Sequence, residues 1–125
     1  MIWRIVPDGA PKARFDAGLA RASSAELVEK LGDGNGWVRD TAQRLLVEKR
    51  DPAATAALRT AALNPQAPAI ARRHALWTLE GGGDALDRAT VVAALGDQDG
   101  RVAATAVPTL IKNRTVKLAV GGWAE

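Results

Sequence analysis

The sequence predicts an all-α fold, a short α-solenoid of about three helical hairpins with short extended segments at the two termini. Three observations predict it. The first is composition: 47% of the 125 residues are hydrophobic but only 4% aromatic, with four Trp, one Phe and no Tyr. Aromatic-poor, Ala-rich chains build helical cores from Ala, Leu and Val, because strands favour β-branched and aromatic side chains. The second is internal self-similarity. The segments Trp37–Leu46, Ile70–Leu79 and Arg101–Leu110 align on the apolar anchors Val38/Ala71/Val102, Ala42/Ala75/Ala106 and Leu46/Leu79/Leu110, spaced by 33 and then 31 residues. Within a segment the anchors fall four apart and so share one helical face. The third is that each segment follows another amphipathic stretch bounded by helix start and stop residues. One such hairpin cannot bury its own apolar faces, but stacked neighbours can.

Taken in order, residues 1–22 precede the repeats. Ile2 to Val6 reads as a short strand closed by the turn Pro7-Asp8-Gly9, and residues 7–22 as a linker rich in Pro, Ala, Gly and Arg. The first repeat spans about 23–50. Its first helix, 23–31, carries Leu27, Val28 and Leu31, opens on Ser23 or Ser24 with Glu26 nearby, and stops at Gly32. The second repeat spans about 51–81. Asp51-Pro52 opens a helix over 53–63, carrying Ala54, Ala57, Leu58 and Leu63, and Asn64-Pro65 ends it. Its second helix, 69–80, stops at Gly81-Gly82-Gly83. The third repeat spans about 84–112: Asp84 opens a helix over 85–95 with Leu86, Val91, Val92 and Leu95, and Gly96 ends it. Pro108, eight residues into the last helix, predicts a kink or an early break that makes this repeat an irregular cap. Residues 113–125 form a tail in which Thr115 to Val120 alternates with period two, a second strand-like segment.

Charge is distributed unevenly. The total is only +3, from 17 Lys+Arg against 14 Asp+Glu. The second helices of the hairpins (37–50, 69–80, 101–112) nevertheless carry a net +5, whereas the first helices are neutral and the turns are acidic. Arg39, Arg44, Arg72, Arg73, His74 and Arg101 are therefore the candidate partner-binding residues. A basic row of this kind binds phosphates or an acidic protein surface; alternatively its arginines are solvated or paired with Asp40, Glu48 and the turn acids. Trp37 and Trp77 are expected in core or inter-repeat packing, each indole N–H needing a partner.

Catalytic constellations are thin. The absence of Cys excludes disulfides, thiolate zinc sites, thiol nucleophiles and haem attachment through C-x-x-C-H. A single His excludes multi-His metal sites, and no nucleophile-elbow motif accompanies His74. The carboxylate pairs Glu26/Glu29 and Asp84/Asp87 sit near helix starts, where the dipole accounts for them. Asp97-Gln98-Asp99-Gly100 lacks the later Glu of a calcium loop, and Gly32 to Gly36 lacks the Lys-Ser/Thr of a phosphate loop. The expectation is no enzyme activity and no cofactor. With no signal peptide and no apolar run of about 18–20 residues, membrane insertion is not expected and the default compartment is the cytoplasm.

Leu31-Gly32-Asp33 before Trp37-Val38-Arg39, and Leu95-Gly96-Asp97-Gln98-Asp99 before Arg101-Val102, resemble the short form of HEAT repeats. The resemblance implies a right-handed α-α superhelix in which turn acids (Asp33, Asp97, Asp99) cap the second helix. It also implies that a basic residue (Arg39, Arg72) reaches a neighbouring repeat; the third repeat departs with Ala103. A narrower resemblance covers about residues 1–112. The segments 35–46 and 72–81 look like the HEAT segment of bacterial propeller–HEAT–cytochrome c proteins related to membrane-bound dehydrogenases, and Ile2 to Pro7 is similar to the propeller's closing strand. This chain has neither propeller nor C-x-x-C-H, so dehydrogenase and electron-transfer activity do not carry over; a piece of such a protein would be extracytoplasmic. The expected function is a non-catalytic protein-interaction or scaffold module with a protein partner. The alternatives are nucleic-acid binding through the basic row and an accessory subunit of a lyase or dehydrogenase. Exposed end faces and the strand-like termini also offer a route to a homodimer.

Overall fold

The computed structural model describes residues 9, 18–83 and 86–112. They form a 3-10 turn at Leu19–Arg21 and six helices: α1 (Ser24–Lys30), α2 (Gly36–Lys49), α3 (Pro52–Leu63), α4 (Ala69–Gly81), α5 (Arg88–Leu95) and α6 (Gly100–Lys112). The described residues are all-helical, with no strand. The two strand-like segments of the sequence, Asp84 and the tail lie outside the described residues. No described helix is long and apolar enough to cross a membrane.

Short polar side chains set the helix starts. Ser23 opens α1 in a reciprocal capping box: the Glu26 N–H donates to Ser23 Oγ (3.3 Å) and the Ser23 N–H donates to Glu26 Oε2 (2.7 Å). Asp51 opens α3 by accepting from the Ala53 N–H, with Pro52 at the first helical position, where no N–H is needed. For α5 the cap is Asp87, whose Oδ1 accepts from the Thr90 N–H at 2.8 Å. The helix thus begins at Arg88 rather than 85, because the first carboxylate that can reach an orphan N–H decides the start. The last helix is corrected as well: α6 runs through Pro108 to Lys112 without an early break. Pro108 and Ala104, four residues before it, are both exposed, so water can satisfy the carbonyl that proline leaves unpaired.

The turn before each even-numbered helix is built the same way. Asp33 Oδ1 accepts from the Asn35 N–H (2.9 Å), Asn64 Oδ1 from the Gln66 N–H (3.0 Å) and Asp97 Oδ1 from the Asp99 N–H (2.8 Å). Asn35 and Asp99 then accept from the N–H groups of Trp37 and Arg101. Asp33 and Asp97 therefore shape the turn two residues ahead of the cap and are not the caps themselves.

Packing follows the anchors. α1 lies on α2, α3 on α4 and α5 on α6; α2, α4 and α6 touch in sequence, as do α1, α3 and α5. Ala42, Ala75 and Ala106 are each fully buried, and the small side chain lets neighbouring helices approach. Around them close Leu27, Leu31, Val38, Leu58, Leu76, Leu79, Val91 and Val102. Ala71 is only partly buried. Leu19 packs into the same core from the 3-10 turn, so this part of the expected linker is structured. Apolar side chains on the outer side of the last hairpin remain exposed: Val92 at 54%, Val107 at 44% and Ile111 at 71%.

Candidate interaction surface

α4 lies between α2 and α6 and against α3, so nearly its whole circumference is covered. Its polar side chains are consequently drawn into structure. Arg72, read from sequence as a partner-binding residue, has a side chain only 4% exposed. Its Nε and Nη2 donate to the two carboxylate oxygens of Asp97, both at 2.9 Å, and its Nη1 donates to the Ala67 carbonyl. This guanidinium fastens α4 to the turn before α6 and is not offered to a partner. Burial works against the Asp97 charge, but the Arg72 bonds and the Asp99 N–H outweigh it and hold the carboxyl below its ordinary pKa.

Arg39 occupies the same place in the first repeat and is half-buried. Its Nη1 donates to the Asp33 carbonyl (2.7 Å) and the Gly34 carbonyl (3.1 Å), while its Nε is buried without a hydrogen bond. Asn64 stands 33 residues before Asp97 and makes the same turn bond. Asn64→Asp should therefore supply the carboxylate that Arg39 lacks and preserve the turn. We expect it to raise unfolding stability by about 1 kcal/mol in urea titration. An Asn64→Asp gain that persists in the Arg39→Gln background would count against the pairing.

His74 also departs from the sequence reading. It is 5% exposed, and its Nδ1 lies 2.7 Å from Gln43 Oε1 on α2. A carbonyl oxygen only accepts, so Nδ1 carries the proton. The ring edge meets Trp77 at 5.2 Å and 90°. Burial foremost, with the charges of Arg39 and Arg73, lowers the His74 pKa below 6.5, opposed by Asp40. A histidine with a depressed folded-state pKa adds stability that is complete above its unfolded value and is lost as pH falls through the folded one. Stability should thus decline as pH drops below about 6.5, and His74→Gln should flatten that segment of the profile. An unchanged slope in the variant would refute the assignment.

Trp77 is half-buried. The Arg73 guanidinium carbon lies 4.9 Å from the centre of its ring, and Arg73 Nε donates to Thr105 Oγ1 on α6 at 3.2 Å. The Thr105 hydroxyl in turn donates to the Arg101 carbonyl at 2.8 Å. Trp37, in contrast, is 59% exposed and is not a core residue. Its neighbour Val38 takes the buried position, and a step of one residue rotates the next side chain about 100° around the helix. Arg44 pairs with Glu48 at 3.3 Å on the surface. Arg101 forks onto Asp99 (Nε–Oδ1 3.1 Å, Nη2–Oδ2 2.8 Å) while remaining 73% exposed. This pairing holds the Asp99 carboxyl far below its ordinary pKa.

The chain matches no protein-family model, no curated protein and no solved structure. Its surface chemistry therefore stands on geometry alone. Of the six arginines and histidine picked out by sequence, only Arg73 and Arg101 meet in one place. They border a shallow groove between α4 and α6, with Trp77 and Glu80 on one wall and Ala104, Thr105 and Pro108 on the other. Among the described residues no group of three or more His, Asp or Glu side chains is placed to hold a metal ion. Sequence reasoning missed Gln43 and Thr105. Each lies close to one repeat length from its partner, His74 by 31 residues and Arg73 by 32, and that offset was the signal that could have found them.

Proposed function

We propose that this chain is a non-catalytic protein-interaction or scaffold module, a right-handed α-solenoid of HEAT type with hairpin repeats at about 23–50, 51–81 and 84–112. The observation that carries the reading is the pattern of polar ties. Gln43 to His74, Arg73 to Thr105 and Gln98 to the Pro65 carbonyl each join neighbouring hairpins at 31 to 33 residues' separation. Side chains able to do chemistry are spent on holding helices in a row, which leaves an extended surface as the functional asset. The turn bonds of Asp33, Asn64 and Asp97, at the same spacing, support the repeat register. Binding to a phosphate backbone is less favoured. It needs a line of uncompensated cations, whereas Arg72, Arg101 and Arg44 face Asp97, Asp99 and Glu48.

The test is site-specific photo-crosslinking in the native host. A crosslinker is placed at Arg44 or Ala104 on the second helices and at Ala56 on a first helix, all three exposed. Protein adducts from 44 or 104, with none from 56, are the expected result. Adducts to nucleic acid alone, or none from any position, would overturn the reading.

A further inference from the structure

We propose that the groove between α4 and α6 captures a carboxylate flanked by an apolar side chain on an acidic segment of a partner protein, with Arg73 as the receptor. This rests on the protein-interaction reading and deepens it by naming the surface and the chemistry it takes.

Arg73 is held on two sides. Its Nε is tied to Thr105 on α6, and the flat face of its guanidinium lies over the Trp77 ring, which is itself braced edge-on by His74. Neither contact uses its Nη groups, which make no hydrogen bond to a described residue. A guanidinium immobilised in this way presents two parallel N–H donors at little further entropic cost, the geometry that accepts a carboxylate in bidentate fashion. Arg72, one residue earlier, has all three of its nitrogens bonded. The neighbouring helix thus shows what a satisfied arginine looks like in this fold.

The surroundings choose among anions. Trp77, Ala104 and Pro108 offer apolar surface beside the open donors, which suits an aliphatic side chain adjacent to the acid. Glu80 lies in the same groove and Arg101 is neutralised by Asp99, so the groove carries one uncompensated receptor charge. A singly charged carboxylate complements that; a polyphosphate chain would meet Glu80 without the further cations it requires.

The probes are two short peptides, acetyl-Ala-Leu-Glu-Leu-Ala-amide and its Gln counterpart, titrated into the full ¹⁵N-labelled chain. The Glu peptide is expected to shift the Trp77 indole N–H and the Arg73 Nε–H signals saturably. The Gln peptide should bind at least about tenfold more weakly. Arg73→Gln should abolish the response. Because that change also removes the tie to Thr105, Ala104→Glu serves as the second variant. It leaves the Arg73 contacts in place, puts a negative charge on an exposed wall, and should weaken the Glu peptide by a similar factor with an unchanged melting temperature. Absence of shifts, equal shifts with the Gln peptide, or indifference to Ala104→Glu overturns the proposal. So do larger, steeply salt-dependent shifts at the same signals with single-stranded DNA. Protein crosslinks from 44 but not from 104 would remove the groove and leave the interaction reading standing; no protein crosslinks at all would remove both.

Discussion

Asp97→Asn is expected to cost about 3–5 kcal/mol of folding stability, the range for stripping one partner from a buried ion pair. The side chains of Arg72 and Asp97 are 4% and 9% exposed, so the guanidinium cannot recover its lost interaction from water. Asparagine keeps an oxygen for the Asp99 N–H, which isolates the pair from the turn. Asp97→Ala removes both and should cost more. Replacing both partners, with Arg72→Met and Asp97→Asn together, should recover part of the loss because no buried charge is left behind. Small domains have only about 5–15 kcal/mol to lose, so the single change should move the urea midpoint substantially. A loss below about 1 kcal/mol would mean that the pair is solvated in solution. The same pair predicts acid sensitivity. The Asp97 carboxyl is depressed below 3.8 in the folded chain, so its contribution is complete above that value and disappears as pH falls through the folded pKa. That window lies below the one assigned to His74, so the two are separable in one pH series.

Leu76→Ala is the second large effect, at about 2–5 kcal/mol. Leu76 is fully buried on α4, the helix that every hairpin touches, and truncating it leaves a void that neighbours on three sides cannot close together. Val107 holds the corresponding position one repeat later, 31 residues on, but is 44% exposed. Val107→Ala should therefore change stability by no more than about 0.5 kcal/mol. Equal costs at the two positions would contradict the helix order described above.

Much of the fold was legible because it rests on short-range rules. Four-residue anchor spacing located all three even-numbered helices, and Ser23, Asp51 and Pro52 marked starts that depend on neighbours two or three residues away. The failures were of two kinds. Asp84 and Asp87 are equally good caps by type, and only the path of the chain decides which carboxylate meets the free N–H. Arg72 and His74 look like surface residues by composition, yet α4 is the middle helix of its row and has no free side on which to place them. Trp37 erred in the opposite direction: a large indole reads as core, but Val38 already fills that site. The candidate groove was half visible. Arg73 and Arg101 were chosen for their charge, but that one is open and the other spent on Asp99 is a matter of three-dimensional pairing.

The central position of α4 has a kinetic consequence. α2 and α6 each have one neighbour in their row, whereas α4 has two. Opening the first or last hairpin breaks one interface, but exposing α4 amides requires losing both. Amide exchange should then be graded rather than uniform, slowest in Leu76 to Leu79 and fastest toward both ends. The chain would melt inward, and a partner seated between α4 and α6 would act as a splint on the last hairpin, slowing exchange there well before it changed exchange in α1 or α2.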